Sequence, residues 1–329
     1  MYSSMPSPSA ASAARPSHGS NVFESGAQTP SQHLLASSDL DASQIRRILD
    51  SARFLKKQRQ FHPQAIAPKE GLVLAMIFEK QSLRTRVSFE VAFRELGGQA
   101  IYLTKSDIDM GHRESIADVA NVLSRWSSLI VARLNSHASI EELAAHATVP
   151  VINALTDAEH PCQALADLQT VEEAFGEEKL KVVYVGDGNN VATSFAVTAA
   201  ELGHEVVICT PPGYEAGESA YRYPNVAHVY RPCEAVAGAH AVYTDVWVSM
   251  GQEDESEVRL RRFAAFQVTR ELMALADPNA IFLHCLPAHR GLEVAAEVID
   301  GPQSRVFEQS ENRLHAQKAL MKMMLEGDL

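Results

Sequence analysis

The sequence predicts an α/β protein of two doubly wound parallel-sheet domains, with the active site in the cleft between them. From residue 72 onward, short apolar runs of strand length alternate with segments of helical spacing, which is the rhythm of βαβ units. A chain of 329 residues is long enough for about two domains, each with its own core. Polar motifs follow several of the apolar runs, and parallel sheets bind ligands at the carboxyl ends of their strands.

Composition and charge narrow the class of protein. The apolar fraction of 46% and the charged fraction of 21% are ordinary for a globular protein. The formal net charge of −12 argues against a nucleic-acid partner or an anionic membrane surface, and no apolar run approaches the roughly 20 residues that span a bilayer. The 4 cysteines include no C-x-x-C pair, which argues against zinc ribbons and thioredoxin-like motifs. So few cysteines indicate a reducing compartment and predict a cytoplasmic location.

The first 32 residues differ from the rest of the chain. They are rich in Ser, Ala and Pro, with Arg15 as the only basic residue besides histidine and Glu24 as the only acid. No apolar segment of a secretory signal is present, and a transit peptide would carry more arginine. We expect residues 1–32 to be a disordered tail or a remnant of protein expression, with an organelle address as the alternative.

Apolar periodicity gives the elements in order. Helical spacing predicts a first helix over residues 41–57, with Asp41 or Ser43 as its N-cap. A first set of strands is expected at residues 72–78, 100–103, 129–132 and 149–152, and helices are expected to begin near residues 85, 114, 139 and 161. A second set of strands is expected at residues 181–185, 205–209, 241–246 and 280–284, followed by a helix over 312–325. The domain boundary is expected along the helix that begins at Pro161.

The strongest local motif is residues 82–86 (SLRTR), which end an apolar run and open a helical pattern. A helix N-terminus after a strand binds anions through free backbone N–H groups and the helix dipole, and arginines with hydroxyls suit a phosphate dianion. The ordinary alternative is a capped helix start, with Arg84 paired to Glu79 or Glu90. Arg133 follows another predicted strand, either as a solvated residue or as a further anion ligand.

Two further motifs carry polar groups at strand ends. In residues 160–163 (HPCQ), Pro161 suits a first helical turn, so that His160 and Gln163 share a face and can grip a carbonyl oxygen. A lone histidine is more often structural. In residues 284–287 (HCLP), Cys285 is either a buried small apolar residue or a thiol that shares a proton near pH 8.5. A phosphate-binding motif, a pair of side chains that can bind a carbonyl oxygen and a nearby thiol together suggest transfer of an acyl-type group from a phosphate donor to an amine.

A fourth string superficially suggests a dinucleotide-binding loop. Residues 186–190 (GDGNN) follow a predicted strand, but Val191 stands where the third glycine of G-x-G-x-x-G belongs.

Together these motifs resemble, in order and spacing, those of the aspartate/ornithine carbamoyltransferase family, over about residues 33–325. Residues 245–251 (DVWVSMG) resemble its ornithine-binding loop. The resemblance implies transfer of the carbamoyl group from carbamoyl phosphate to the δ-amine of L-ornithine, giving L-citrulline and phosphate in arginine biosynthesis. It also implies no cofactor and no metal, a homotrimer or a multiple of one, and closure of the two domains. Cys285 favours a basic amino-acid substrate, because the aspartate branch has proline there.

The resemblance also assigns domains and residues. It implies a carbamoyl-phosphate-binding domain over 33–158, completed by a C-terminal helix over 310–329, and an ornithine-binding domain over 159–309. The implied carbamoyl-phosphate ligands are Ser82, Leu83, Arg84, Thr85, Arg133, His160, Gln163 and Arg313. The implied ornithine ligands are Asn190, Asp245, Ser249, Met250, Cys285 and Leu286, with Asn189 as a weaker candidate. The implied catalytic residues are Arg84, His160, Asp245 and Cys285.

Three departures from the family pattern stand out. Leu83 replaces a common threonine, Gln81 replaces a common proline, and Asp109 stands where Gln or His often reaches a neighbouring subunit's carbamoyl phosphate. An acid there would repel the dianion, so either the loop lies differently or Asp109 pairs with a cation such as Arg113. The remaining alternatives are a carbamoyltransferase for putrescine or an acylated ornithine, and a non-catalytic family member. Residues 249–251 and the intact motifs argue against both.

Overall fold

The computed structural model describes residues 1, 32–61, 71–248 and 253–329. The tail predicted over residues 1–32 therefore lies almost entirely outside the described residues, as do two predicted ornithine ligands, Ser249 and Met250. Within the described ranges, no helix is both long enough and apolar enough to cross a bilayer.

The elements of the first half alternate between strand and helix. In chain order they are α1 Ala42–Phe61, β1 Val73–Phe78, α2 Leu83–Glu95, β2 Gln99–Thr104, α3 Lys105–Ile108, α4 Ile116–Trp126, β3 Leu129–Arg133, α5 His137–His146, β4 Val151–Leu155 and α6 Pro161–Phe175. The four strands form a parallel sheet in the order β2-β1-β3-β4. Asp41 caps α1, because its Oδ1 accepts a hydrogen bond from the Gln44 backbone at 2.8 Å.

The second half repeats the alternation with a longer sheet. Its elements are β5 Lys181–Val185, α7 Asn190–Glu201, β6 Glu205–Cys209, β7 Val226–Val229, α8 Pro232–Val236, β8 Ala241–Tyr243, α9 Ser256–Phe263, α10 Arg270–Met273, β9 Ile281–Leu283, α11 Ala296–Ile299 and α12 Val306–Glu326. The strands are parallel, in the order β7-β6-β5-β8-β9. The predicted fold class of two doubly wound parallel sheets is confirmed.

Helix α6 is central to the architecture. Its residues 161–172 are all buried, and it packs against β4 of the first sheet, against α7 and β9 of the second half, and against α12. Helix α12 also packs against α1 and α2. Buried apolar side chains such as Phe89, Phe93 and Leu165 belong to one continuous core, and each contributes about 1.5–3 kcal/mol when fully buried. The elements that carry the polar motifs are therefore rigidly supported.

Candidate active site

The polar motifs converge because each follows a strand of one of the two parallel sheets. Ser82 follows β1, His160 follows β4, Asn189 follows β5 and Cys285 follows β9, while Arg133 is the last residue of β3. The carboxyl ends of parallel strands meet at one edge of a sheet. The two sheets thus supply the two walls of one cleft.

The N-terminus of α2 forms the first part of the anion wall. Ser82 is the N-cap, and its Oγ accepts a hydrogen bond from the Thr85 backbone at 3.3 Å. Thr85 is buried, and its Oγ1 accepts from the Arg313 guanidinium at 3.2 Å. Leu83 is 75% exposed, so it offers this wall only its backbone N–H.

The two arginines of the SLRTR motif lie in different environments. Arg86 is exposed, pairs with Glu90 at 2.8 Å, and lies 3.9 Å from the ring centroid of Tyr102. The pairing with Glu90 that the sequence suggested for Arg84 is therefore made by Arg86 instead. Arg84 lies near enough to Arg133 and His160 to affect both electrostatically.

A cluster of positively charged side chains is the main electrostatic feature of this wall. Burial, reinforced by the charges of Arg313 and Arg84, lowers the pKa of Arg133 to about 10. Arg133 Nε has no hydrogen-bond partner in the described part of the chain. Such a cluster binds a multivalent anion.

His160 lies in the same cluster and is neutral. Burial first, and then the nearby arginines, lower its pKa well below the usual value. Its backbone N–H donates to Ser194 Oγ at 2.7 Å, whereas its ring Nδ1 has no partner among the described residues. The ring is thus free to hydrogen-bond a ligand.

Gln163 and Arg313 join the cluster through a buried hydrogen-bond network. Arg313 donates to Gln163 Oε1, and Gln163 Nε2 donates to Asp167 Oδ1 at 2.8 Å. The same Asp167 oxygen accepts from Gln309 Nε2 at 2.6 Å, and Gln309 Oε1 accepts from the His284 backbone at 2.9 Å. The motifs did not indicate Gln309, and Asp167 was only a neighbour within the HPCQALAD string.

The opposing wall carries a carboxylate and a thiol. Asp245 is buried, and its Oδ2 accepts from Asn189 Nδ2 at 2.9 Å. Its Oδ1 accepts from the Cys285 thiol at 3.1 Å. Burial, reinforced by the Asp245 carboxylate, raises the pKa of Cys285 well above its ordinary value. Both effects favour the protonated thiol, which donates to Asp245, over the thiol that ionises or shares a proton near pH 8.5.

The loop around Cys285 has an unusual backbone. Leu286 has a φ of 59°, in the left-handed region, and it precedes a cis Leu286–Pro287 bond. Its N–H donates to His284 Nδ1 at 2.9 Å, while His284 Nε2 pairs with the buried Glu293 at 3.2 Å. A residue other than glycine in this region costs about 1–3 kcal/mol of folding free energy, and it persists where the surrounding contacts hold the backbone in place.

The GDGNN loop serves the site in a way its sequence did not indicate. Asn189, the weaker of two candidates, caps α7 and contacts Asp245, whereas Asn190 Nδ2 donates to the Thr156 carbonyl at 2.5 Å. Gly188 is needed for packing, because a Cβ there would lie 2.3 Å from the Ala216 nitrogen. The loop thus packs closely against residues 214–216.

A buried ion pair anchors the segment that leads into the predicted ornithine loop. Arg259 of α9 pairs with Asp187 and donates through Nε to the Trp247 carbonyl at 2.6 Å. Its guanidinium carbon lies 4.9 Å from the Tyr214 ring centroid. Burial raises the pKa of Asp187 to about 6 despite the pairing. No motif suggested Arg259.

One group of side chains has donor atoms close enough to suggest a metal. Asp245, His284 and Cys285 each offer a ligand atom within 4.8 Å of the others. Both ring nitrogens of His284 are already hydrogen-bonded, and the thiol is held protonated. A metal needs the neutral imidazole lone pair and the thiolate, so these residues do not fit a resident ion.

Asp109 lies at the end of α3 with a φ of 50°. It lines a cavity of about 690 Å³ with Tyr102, Lys105, Arg113 and other residues. The Arg113 guanidinium donates to the Asp107 carbonyl at 3.0 Å, and no ion pair joins it to Asp109 within the described ranges. Of the two alternatives for Asp109, the pair with Arg113 is therefore absent from those ranges.

The two walls face each other closely enough to interact electrostatically: Arg84 opposes the rise in the pKa of the Cys285 thiol. An arginine cluster that faces a carboxylate across a cleft is typical of a two-domain α/β enzyme that transfers a group from an anionic donor to a cationic acceptor. Residues 32–173 match the carbamoyl-phosphate-binding domain of aspartate/ornithine carbamoyltransferases, and residues 178–324 match the Asp/Orn-binding domain. The chain belongs to the aspartate/ornithine carbamoyltransferase family.

Individual relatives are similar over nearly the whole chain. An anabolic ornithine carbamoyltransferase of Pyrococcus furiosus is 49% identical over 305 residues, which cover 89% of this chain and 96% of the relative. An ornithine carbamoyltransferase of Methanothermobacter thermautotrophicus is 50% identical over 91% of this chain and 100% of its own length. The solved P. furiosus structure superposes with a TM-score of 0.86 at 47% identity, covering 90% of this chain and 98% of that one.

Proposed function

We propose that this chain transfers the carbamoyl group of carbamoyl phosphate to the δ-amine of L-ornithine, giving L-citrulline and phosphate. The observation that carries the proposal is the buried arginine cluster facing the Asp245–Cys285 pair across one cleft. The similarity to an anabolic relative supports the direction toward arginine biosynthesis.

Carbamoyl phosphate occupies the anion wall. The N-terminus of α2 supplies backbone N–H groups and hydroxyls for the phosphate, and Arg84 and Arg133 supply charge. The proposed ligands are Ser82, Leu83, Arg84, Thr85, Arg133, His160, Gln163 and Arg313. The neutral His160 ring keeps one N–H group, which can donate to the carbamoyl oxygen. Gln163 Oε1 can accept from the carbamoyl amino group.

Ornithine occupies the opposing wall. In this proposal Asp245 binds its cationic α-amino group, and Cys285 contacts the reacting amine. The proposed ligands are Asn190, Asp245, Ser249, Met250, Cys285 and Leu286. Because Asn189, and not Asn190, contacts Asp245, we assign Asn189 the role of orienting that carboxylate.

The reaction follows from these positions. A free amine of this kind has a pKa near about 10.4, so it must lose a proton before it attacks. The neutral amine attacks the carbonyl carbon, and the oxyanion that forms is stabilised by Arg84, His160 and Arg313. The proton that the ammonium loses before attack passes to solvent. The C–O bond to phosphate then breaks, and the phosphate takes up the second proton, which the attacking nitrogen loses as the intermediate collapses. No cofactor is required.

The remaining proposals concern assembly, boundaries and location. Exposed apolar side chains on α2, β2 and α4 support a homotrimer or a multiple of one: Leu83, Val87, Ile101 and Trp126. The family matches divide the chain between residues 173 and 178. We propose bounds of 33–158, completed by 310–329, and 159–309, because α12 packs against α1 and α2. The free cysteines support a cytoplasmic location.

The test is a citrulline assay on the purified chain with carbamoyl phosphate. L-ornithine, putrescine, N-acetylornithine and aspartate are supplied in parallel as acceptors. We expect turnover with ornithine and a large loss in Arg84→Ala, while Arg86→Ala, a matched arginine on the exposed face, retains turnover. Preference for another amine would overturn the substrate, and no turnover with any acceptor would indicate a non-catalytic family member.

A further inference from the structure

Asp167 is a fully buried carboxyl on α6 to which the proposed mechanism gives no role. It is 0% exposed and lies one turn after Gln163. Its Oδ1 accepts two hydrogen bonds, both from side-chain amides. Its Oδ2 makes no well-aligned hydrogen bond to a described residue, although the Tyr243 hydroxyl lies close enough to favour the charged carboxylate. Burying a carboxyl costs folding free energy unless hydrogen bonds compensate for the lost hydration.

The first contact decides which end of Gln163 faces the anion wall. A side-chain amide offers a donor at one end and an acceptor at the other. Since Nε2 donates to Asp167, Oε1 is turned toward Arg313, which donates to it. The carbamoyl amino group is also a donor and needs the same oxygen. A flipped amide would place an NH2 group against two donors.

The second contact reaches the opposing wall. Gln309 of α12 donates through Nε2 to the same Asp167 oxygen, so its Oε1 accepts from the His284 backbone. His284 immediately precedes Cys285. One carboxylate oxygen thus orients an amide for each wall, and the two amides belong to different helices.

We infer that Asp167 is a positioning residue. It orients the amide of Gln163 for the carbamoyl group and the amide of Gln309 for the loop around Cys285. The inference rests on the proposed function, because a carbamoyl amino group is what requires the Gln163 oxygen. Asp167 touches no substrate and acts through the two amides. Its contribution therefore depends on an acceptor oxygen at this position and not on side-chain volume.

Two substitutions separate these requirements. Asp167→Asn keeps an oxygen that can accept from both amides, whereas Asp167→Leu has similar volume and no acceptor. We expect Asp167→Leu to lower kcat about 100-fold, as small misplacements near a reacting group do, and to weaken carbamoyl phosphate binding measured by calorimetry. Asp167→Asn should stay within about fivefold of wild type. Equal losses in both variants would overturn the inference.

Thr170→Val is the matched control. Thr170 is buried one turn farther along α6 and accepts a hydrogen bond from Asn312 at 2.9 Å, with no link to the site amides. It should lower the urea midpoint while leaving kcat close to that of the wild type. A kcat loss in Thr170→Val equal to that of Asp167→Leu would reduce Asp167 to a packing role.

A double-mutant cycle tests whether Asp167 acts through Gln163. If it does, adding Asp167→Leu to Gln163→Ala should lower carbamoyl phosphate affinity by less than about twofold more. Additive losses would overturn the inference. If Asp167→Leu does not fold, Gln309→Leu provides the test. The KM of this variant for ornithine should rise, with little change in the KM for carbamoyl phosphate. An unchanged KM for ornithine would refute the role of Asp167 in positioning Gln309. Absence of citrulline with the wild-type chain would instead refute the proposed function.

Discussion

The buried pair of Arg259 and Asp187 makes a quantitative prediction about the ornithine wall. The two side chains are 5% and 8% exposed, so solvent screens them little. Breaking a buried ion pair from one side costs about 3–5 kcal/mol. In Arg259→Met, Asp187 loses its cation, and its pKa, already raised to about 6, rises further. Protonation of Asp187 removes part of the penalty of an unpaired buried charge, so we expect the lower end of the range, about 3 kcal/mol.

The same substitution frees the Trp247 carbonyl, which Arg259 binds. Trp247 lies two residues after Asp245 and two before Ser249. We therefore expect the KM for ornithine to rise about tenfold or more, since loss of a hydrogen bond to a charged group costs about 1.5–3 kcal/mol. The KM for carbamoyl phosphate should stay unchanged, because no residue of the anion wall contacts Arg259 in the described structure.

The assay combines urea unfolding with steady-state citrulline formation. Arg262→Met is the matched control, because Arg262 is an exposed arginine on the same helix. The double variant Asp187→Asn with Arg259→Met should regain part of the stability but not the ornithine KM. An unchanged ornithine KM in Arg259→Met, at the expected loss of stability, would refute the anchoring role. An equal rise in both KM values would refute the division into two walls.

Three further predictions concern single side chains. Arg84→Ala should lower kcat by about 100-fold or more at an unchanged urea midpoint, and near-normal turnover by the folded variant would contradict its assignment. Cys285→Ser should raise the KM for ornithine without moving the pH optimum, because the raised pKa keeps the thiol protonated across the assay range; a shifted optimum would show that the thiol titrates. Burial raises the pKa of Asp167 from 3.8 to about 7. Protonation of this carboxyl therefore stabilises the folded state fully below about pH 4, and the stabilisation is lost as the pH rises through 7. Between pH 5 and pH 8, unfolding in urea should show the wild type losing about 3 kcal/mol more than Asp167→Asn, as an upper estimate, and parallel pH curves would contradict it.

The strands of both sheets were predictable where burial is continuous. β5 and β6 agree with the predicted bounds, because both are apolar runs flanked by turn residues. β7 was missed, since it is a short, partly exposed edge strand of four residues. β8 ends at Tyr243, earlier than predicted. Thr244 still donates its backbone N–H to the Leu283 carbonyl at 3.3 Å, and its hydroxyl donates to the Val185 carbonyl.

The site was predictable only where its groups stand in short motifs. The anion wall is marked by residues 82–86, because cap, hydroxyl and arginine lie within one helical turn. Arg259 lies 72 positions from Asp187, and Gln309 lies 142 from Asp167. No local pattern indicates such pairs, because burial of a polar residue depends on tertiary packing. The raised pKa of Cys285 was missed for the same reason.

The protonation of Cys285 also bears on how the protein meets oxidants and alkylating reagents. Thiolates react with these agents far faster than thiols do. Burial raises the pKa of both Cys162 and Cys209 to about 12, and Cys285 is held protonated as well. Cys233 on α8 is the exposed thiol. Oxidation or alkylation should therefore occur first at Cys233 on α8. Molecules cross-linked or labelled there should keep the cysteine of the cleft unmodified.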